Sequence, residues 1–189
     1  MSSDGSSTQC VIVRNTNGTG ILEVKDPALF NLLLQAMTGQ VSGTQLISIP
    51  QHLPSPFFRE LIDEINKAYS TALYTSTWVC LRKLFENLLI EMLRVRYGTT
   101  NIDLYYWEDK GRFHDFSVLT ENLESRISDF RSYTDAFDQR FFDFLKSFRE
   151  QANRPAHSID ILTDPNDFEN KKSEINHYAS LLCDVIRRI

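Results

Sequence analysis

The chain has 189 residues, of which 42% are hydrophobic, which is enough for one domain with a sizeable core and an appendage. Its net charge of −5 argues against a general nucleic-acid coat, although it allows a local basic site. Three scattered cysteines, Cys10, Cys80 and Cys183, predict reduced thiols and a cytoplasmic location, and no apolar run reaches the roughly 18 residues of a membrane span.

The first 54 residues predict a small mixed α/β appendage. Residues 1–8 are serine-rich and lack the apolar stretch of a signal peptide, so they predict a disordered tail. Residues 9–24 contain two β-branched runs around turn-forming residues, which is typical of a hairpin. A short helix should follow from Asp26-Pro27, and the connector before Pro56 should hold a strand at 46–49.

Residues 55–189 predict a helical bundle, because the chain has no proline from 57 to 154 and no glycine after Gly111. Five segments repeat apolar residues with the helical period, and such faces are buried against each other rather than around a cofactor. The second and longest, which includes Val79 and Val95 in its stripe, should be central. The predicted helices begin near residues 56, 71, 116, 134 and 164.

The end of the fourth predicted helix gathers an arginine, an asparagine and a histidine. Arg149, Asn153 and His157 are four residues apart, which stacks their side chains on one helical face. Pro155 should bend or end the helix beside His157, because its ring clashes one turn back and it lacks an N–H. Together the three side chains can bind a phosphate and move a proton. The alternative is a surface helix end whose cations complement the helix dipole.

Two segments resemble the HEPN superfamily, small all-α domains named for higher eukaryotes and prokaryotes nucleotide-binding. The first segment comprises residues 53–54, 68–69 and 81–89, and the second spans residues 148–157. The resemblance covers roughly Leu53 to the C-terminus. It implies an all-α, HEPN-like up-and-down bundle of four to five helices.

In that superfamily the arginine–histidine motif is the active centre of metal-independent endoribonucleases, often bacterial toxins or defence effectors. The resemblance implies that Arg149 and His157 are the motif residues, that Asn153 is a polar partner between them, and that no cofactor is needed. Some members are inactive and serve as interaction modules. Seven residues separate Arg149 from His157 here, more than is usual in the family.

The chemistry of the three side chains agrees with RNA cleavage. An imidazole with a pKa near ~6.5 can transfer the proton of a 2′-hydroxyl, and a guanidinium matches phosphate oxygens. One histidine supplies one proton-transfer group, so we expect a homodimer that brings two helix ends together. The products would be a 2′,3′-cyclic phosphate and a 5′-hydroxyl.

Charged residues near the motif have two interpretations. Arg82 and Glu86 form an i,i+4 pair on the long helix, either as a modest surface ion pair or as a device in which Glu86 orients Arg149. Lys146 and Arg154 can add phosphate contacts, but the acidic residues among them favour a solvated face.

Two functions therefore stay open, beside a third possibility, a helical bundle with no nucleic-acid role. The intact arginine, asparagine and histidine favour a ribonuclease with RNA as its substrate. The wide spacing and acidic balance favour a non-catalytic module that dimerises or binds a protein partner such as an antitoxin. Possible metal ligands at His114-Asp115 and 157–160 lack a repeated spacing. The cluster at 105–107 can stack bases, but more often packs a long connection.

Overall fold

The computed structural model describes residues 9–15, 18–24, 45–157 and 165–189, with side-chain surroundings for 45–154 and 166–189. The chain divides into two compact units, residues 1–44 and 45–189. The predicted tail at 1–8 and the predicted helix after Asp26-Pro27 lie outside the described residues.

The first unit contains an antiparallel hairpin. Strand β1 spans Gln9–Asn15 and strand β2 spans Gly18–Val24. Their register runs from Gln9↔Val24 to Asn15↔Gly18, so the pairing includes residues that the sequence assigned to the turn.

The second unit is mostly helical, which confirms the all-α class. Helix α2, which spans Tyr74–Tyr97, packs against the four other helices and is the central one. It begins three residues later than predicted because Ala72 takes a positive φ of 57°, which a continuing helix does not allow. The helices are α1 (Pro56–Ser70), α2 (Tyr74–Tyr97), α3 (Phe116–Ser125), α4 (Gln139–His157) and α5 (Pro165–Arg188).

Two further predicted helix boundaries were wrong. The segment 116–130 is not one helix, because α3 ends at Ser125 and a separate 3-10 turn follows at Ile127–Phe130. Helix α4 begins at Gln139 rather than near 134. Just before Gln139, Asp138 Oδ1 accepts the N–H of Phe141 at 3.1 Å, as the side chain of an N-cap residue does. Apolar residues before the N-cap are also buried. The repeat of apolar residues therefore continues outside the helix, and it predicted a longer helix than the one that forms.

The core is dominated by aromatic rings. Trp78 on α2 is fully buried and lies 4.5 Å from Phe168 of α5 and 5.9 Å from Phe148 of α4, between ring centroids. The predicted stripe of α2 was wrong at two positions, since Val79 and Val95 are 45% and 43% exposed. The buried face therefore includes Trp78 in place of its neighbour Val79.

The strand predicted at 46–49 is not formed. The backbone there pairs with the side-chain amides of Asn66 on α1 and Asn176 on α5. Asn66 Oδ1 accepts the N–H groups of Leu46 and Ile47 at 3.0 Å each, and its Nδ2 donates to the Ile47 carbonyl at 2.8 Å. Asn176 binds the Ser48 N–H and the Leu46 carbonyl. Two amides thus satisfy backbone groups that a neighbouring strand would otherwise serve.

A short hairpin occupies the connection between α2 and α3. Strand β3 spans Tyr106–Trp107 and pairs with β4, Arg112–Phe113, in an antiparallel register. Gly111 turns the chain with a φ of 60°. The hairpin is anchored by Tyr105, which is buried and donates its hydroxyl hydrogen to the Gly98 carbonyl at 2.8 Å.

We expect Asn66→Ala to destabilise the second unit by about 2 kcal/mol, because it leaves the partly buried N–H groups of Leu46 and Ile47 without their acceptor. Urea unfolding followed by circular dichroism measures the change. Asn170→Ala, on the exposed side of α5, is the matched control and should change stability by less than about 0.5 kcal/mol. Equal effects of the two variants would contradict the amide clamp.

Candidate active site

Three of the predicted site residues meet between α2 and α4. Arg82 Nη1 donates to Asn153 Oδ1 at 2.6 Å, and Arg82 Nη2 lies 3.8 Å from Glu86 Oε1. The predicted Arg82–Glu86 pair is therefore confirmed. It also has a partner on a second helix, so that the end of α4 is fastened to the central helix.

Glu86 lies close to the start of α3. The N–H of Phe116, the first residue of α3, favours the charged form of its carboxyl group, while the Asp115 N-cap forms no capping hydrogen bond with its own side chain. A carboxylate is favoured there, since the N-terminal N–H groups and the helix dipole are positive. Burial raises the pKa of Glu86 above its usual 4.5, and the charge of Arg82 and the nearby Phe116 N–H oppose that shift.

Arg82 contacts both Asn153 and Glu86. Within the described part of the chain, its buried Nε has no hydrogen-bond partner, although both terminal nitrogens are engaged. The side chain keeps 30% of its surface exposed, so solvent can approach the rest of the guanidinium. We infer that Arg82 positions α4 and Glu86 rather than binding a ligand itself.

Arg149 faces a different neighbour. It is half-buried and lines a cavity of about 190 Å³ between α3 and α4, which also takes in Phe116 and Ser117 at the start of α3. Among the residues described, Arg149 forms no salt bridge, and the predicted pairing with Glu86 is therefore not formed. Its guanidinium is available to an anion.

The charges around this cavity are mixed. Glu121 and Glu150 line it together with Lys146, and Lys146 is paired with Glu124, Nζ to Oε2, at 3.0 Å. Lys146 is thus largely neutralised, and Arg154 is exposed outside the cavity. Of the two cations that line the cavity, Arg149 is the one without a salt bridge among the described residues.

The spacing of the motif explains why Arg149 and Asn153 face different helices. Residues four apart on a helix drift by about 40°, and this is enough for Asn153 to contact α2 while Arg149 faces α3. His157 is the last residue of α4, which continues through Pro155, and its side chain lies outside the described residues. The structure thus brings Arg82, Glu86 and Asn153 together, with Arg149 in the adjoining cavity.

The aromatic cluster at 105–107 lies in the connection between α2 and α3. Tyr105 is buried and Tyr106 packs edge-on against Phe113, so these two rings hold the connection together. Trp107 is 38% exposed, with Lys110 Nζ 3.2 Å from its ring centroid. The described residues contain no cluster of three or more His, Cys, Asp or Glu suited to a metal ion. In the same part of the chain, no helix combines the length and apolarity needed to cross a membrane.

The wall formed by α3 was not predicted as part of the site. Ser117 and Thr120 line the Arg149 cavity, and Thr120 is already bonded to the Phe116 carbonyl at 2.8 Å. The Asp115-Phe116 helix start was visible in the sequence, but nothing local indicated that α3 would lie beside Arg149. That placement follows from packing.

Comparison of the chain with protein-family models, with curated proteins and with solved structures found no match in any of the three. The chemistry and geometry of the residues are therefore the basis for a functional assignment.

The Glu86 carboxyl should make stability depend on pH. Because its folded-state pKa is raised, its contribution is fully present below the unfolded pKa and is lost as pH rises through the folded value. We therefore expect the stability of the wild type relative to Glu86→Gln to fall between about pH 4 and pH 7. Chemical unfolding of both proteins across this range tests it, and a difference that grows with pH would contradict a raised pKa.

Proposed function

We propose that the chain is a metal-independent endoribonuclease of the HEPN type, in which Arg149 binds the phosphate and His157 transfers protons. The observation that carries the proposal is the Arg149 cavity. A half-buried guanidinium, unpaired among the described residues, lines it beside the N-terminus of α3 and two helical turns before a histidine. Both the guanidinium and the helix start favour a phosphate.

The reaction needs no group beyond the side chains and the RNA. An imidazole takes the proton of the 2′-hydroxyl, and the 2′-oxygen attacks the phosphorus. The bond from phosphorus to the 5′-oxygen breaks, and that oxygen receives a proton from a second imidazole. The products are a 2′,3′-cyclic phosphate and a 5′-hydroxyl, while Arg149 stabilises the charge on the phosphoryl oxygens.

The second imidazole would come from a second copy of the chain. His157 lies about 12 Å beyond Arg149 along α4, given a rise of 1.5 Å per residue. A symmetric pair of α4 ends would place two imidazoles and two guanidinium groups around one cleft. Homodimerisation is therefore part of the proposal.

The Arg82–Glu86–Asn153 network supports this arrangement by holding the helix end. Arg82 occupies Asn153 Oδ1, and this leaves the Asn153 Nδ2 group as the donor for a phosphate oxygen or for His157. Glu86 and Arg82 act here as positioning residues. The seven-residue spacing within the motif would then be accommodated by a fixed helix end.

A second candidate is a non-catalytic interaction module that dimerises or binds a protein partner. Exposed apolar side chains favour this candidate, because monomeric proteins rarely expose several apolar groups side by side. Phe57, Leu73 and Phe113 are 40%, 57% and 48% exposed, and the first and third line one cavity. The two candidates differ in whether the protein turns over RNA.

His157→Ala should lower RNA cleavage by about 10²–10⁴-fold, because it removes the proton-transfer group, and Arg149→Ala should impair it by removing phosphate stabilisation. Cleavage of single-stranded and tRNA-like RNA is followed on gels with EDTA present, and EDTA should have no effect. Arg154→Ala, an exposed arginine five residues along the same helix, is the matched control and should keep most activity.

The outcome that contradicts the ribonuclease is specific. If the wild type cleaves none of these RNAs, or if both variants cleave normally while folding as the wild type does, the interaction module takes its place. A lower melting temperature in either variant, without an activity to lose, would likewise indicate a structural role.

Light scattering at micromolar concentration should give twice the mass of one chain, because one chain supplies one imidazole of the motif. A strict monomer that retains full cleavage activity would rule out the paired site. It would leave the second proton transfer to solvent.

A further inference from the structure

A second cavity lies beside α1, α2 and the β3–β4 hairpin. It measures about 200 Å³, and two exposed aromatic rings, Phe57 and Phe113, line it. We propose that this cavity binds one unstacked nucleobase of single-stranded RNA, close to the phosphate held at Arg149. The identity of the strand as substrate rests on the proposed endoribonuclease, whereas base binding itself can be tested separately.

Both rings are held in place although they are exposed. Phe57 meets the buried Phe58 edge-on, with centroids 5.3 Å apart, and Phe113 meets Tyr106 edge-on at 5.4 Å. Such rings lose little conformational freedom on binding, and each still has apolar surface to cover. A base that stacks on them covers it, and this contact accepts any base because every base has a π-face.

Polar groups line the same cavity and suit the edge of a base. Asn87 Nδ2 donates to the Lys83 carbonyl at 2.7 Å, so its Oδ1 is left to accept a hydrogen bond. Ser55 offers a hydroxyl, and the Arg94–Glu91 pair, closest at 2.6 Å, offers charged groups of both signs. This mixture of flat apolar walls and a few polar groups is typical of small-molecule sites.

The size of the cavity and the charge beside it limit the kind of ligand that it can bind. The cavity is smaller than the roughly 300–1,000 Å³ of sites for drug-sized ligands, which favours a single planar ring system. Lys83 Nζ lies 5.7 Å from the centroid of the Phe57 ring and can hold a phosphate attached to the bound nucleotide. A nucleotide unit carries both features, a planar base and an anionic link.

The two cavities flank one junction of the chain. Phe113 ends β4 and lines the base cavity, while Phe116 begins α3 and lines the Arg149 cavity. Three residues span at most about 11 Å, so these two wall residues lie within that distance of each other, which adjacent parts of one RNA strand can bridge. On α2, Asn87 lines the base cavity and its neighbour Glu86 lies close to the Phe116 N–H.

Fluorescence anisotropy with a 5′-labelled RNA of about six nucleotides, fully 2′-O-methylated, tests the site. This RNA lacks the 2′-hydroxyl and so cannot be cleaved by the proposed reaction. Phe57→Leu and Phe113→Leu should each raise the Kd about tenfold by removing a stacking face. Phe113→Tyr should bind within about twofold of the wild type, which separates loss of the ring from loss of the fold. Trp107→Leu, an exposed ring on the same hairpin outside the cavity, is the matched control and should also stay within twofold.

Each result decides between the two proposals. No RNA binding by the wild type, or equal binding by the two leucine variants, overturns the base site. A change of oligomeric mass in those variants with RNA binding unaltered also overturns it and identifies a protein contact. If the leucine variants bind weakly but the wild type cleaves no unmodified RNA, the base site stands and the endoribonuclease fails.

Discussion

The burial of one face of α2 is the constraint on which the rest of the second unit depends. Trp78 and Phe85 on this face are fully buried, and Phe148 of α4 contacts both rings. Large aromatic side chains bury about 150–250 Å² each, so they dominate the energetics of a core of this size. Because α2 contacts the four other helices, their positions are fixed relative to it, and through it relative to one another.

The polar network is a consequence of that central position. Arg82 follows Trp78 by one helical turn, and Asn153 follows Phe148 by little more than one, so the aromatic contact brings the two polar residues together. Glu86, one further turn along, reaches the start of α3. Placing a carboxylate there costs desolvation, which Arg82 and the Phe116 N–H offset. A central helix can thus align two others with two side chains.

The proposed RNA path uses the same junction. The start of α3 lines the Arg149 cavity and the end of β4 lines the base cavity, and Glu86 lies close to the first N–H of α3. A phosphate site and a base site that share a rigid support would hold a strand in one register. Pre-organisation of this kind lowers the cost of ordering a flexible single strand. It also gives the hairpin a role beyond closing a loop.

The sequence by itself determined the helical class, the central position of α2 and the presence of Arg149, Asn153 and His157 at one helix end. The period of the apolar residues and the positions of proline and glycine are local properties of the sequence, so they predict local structure. Only the tertiary structure decided that Asn153 contacts Arg82, 71 positions away, and that Glu86 lies at the start of α3 rather than pairing with Arg149. It also decided that two asparagine amides replace a strand at 46–48. The same holds for Phe57 and Phe113, whose shared cavity no local pattern indicated. These contacts depend on how helices rotate and cross when their apolar faces pack together. A shift of one residue in the buried face, as between Trp78 and Val79, changes the direction of the polar side chains on the same helix.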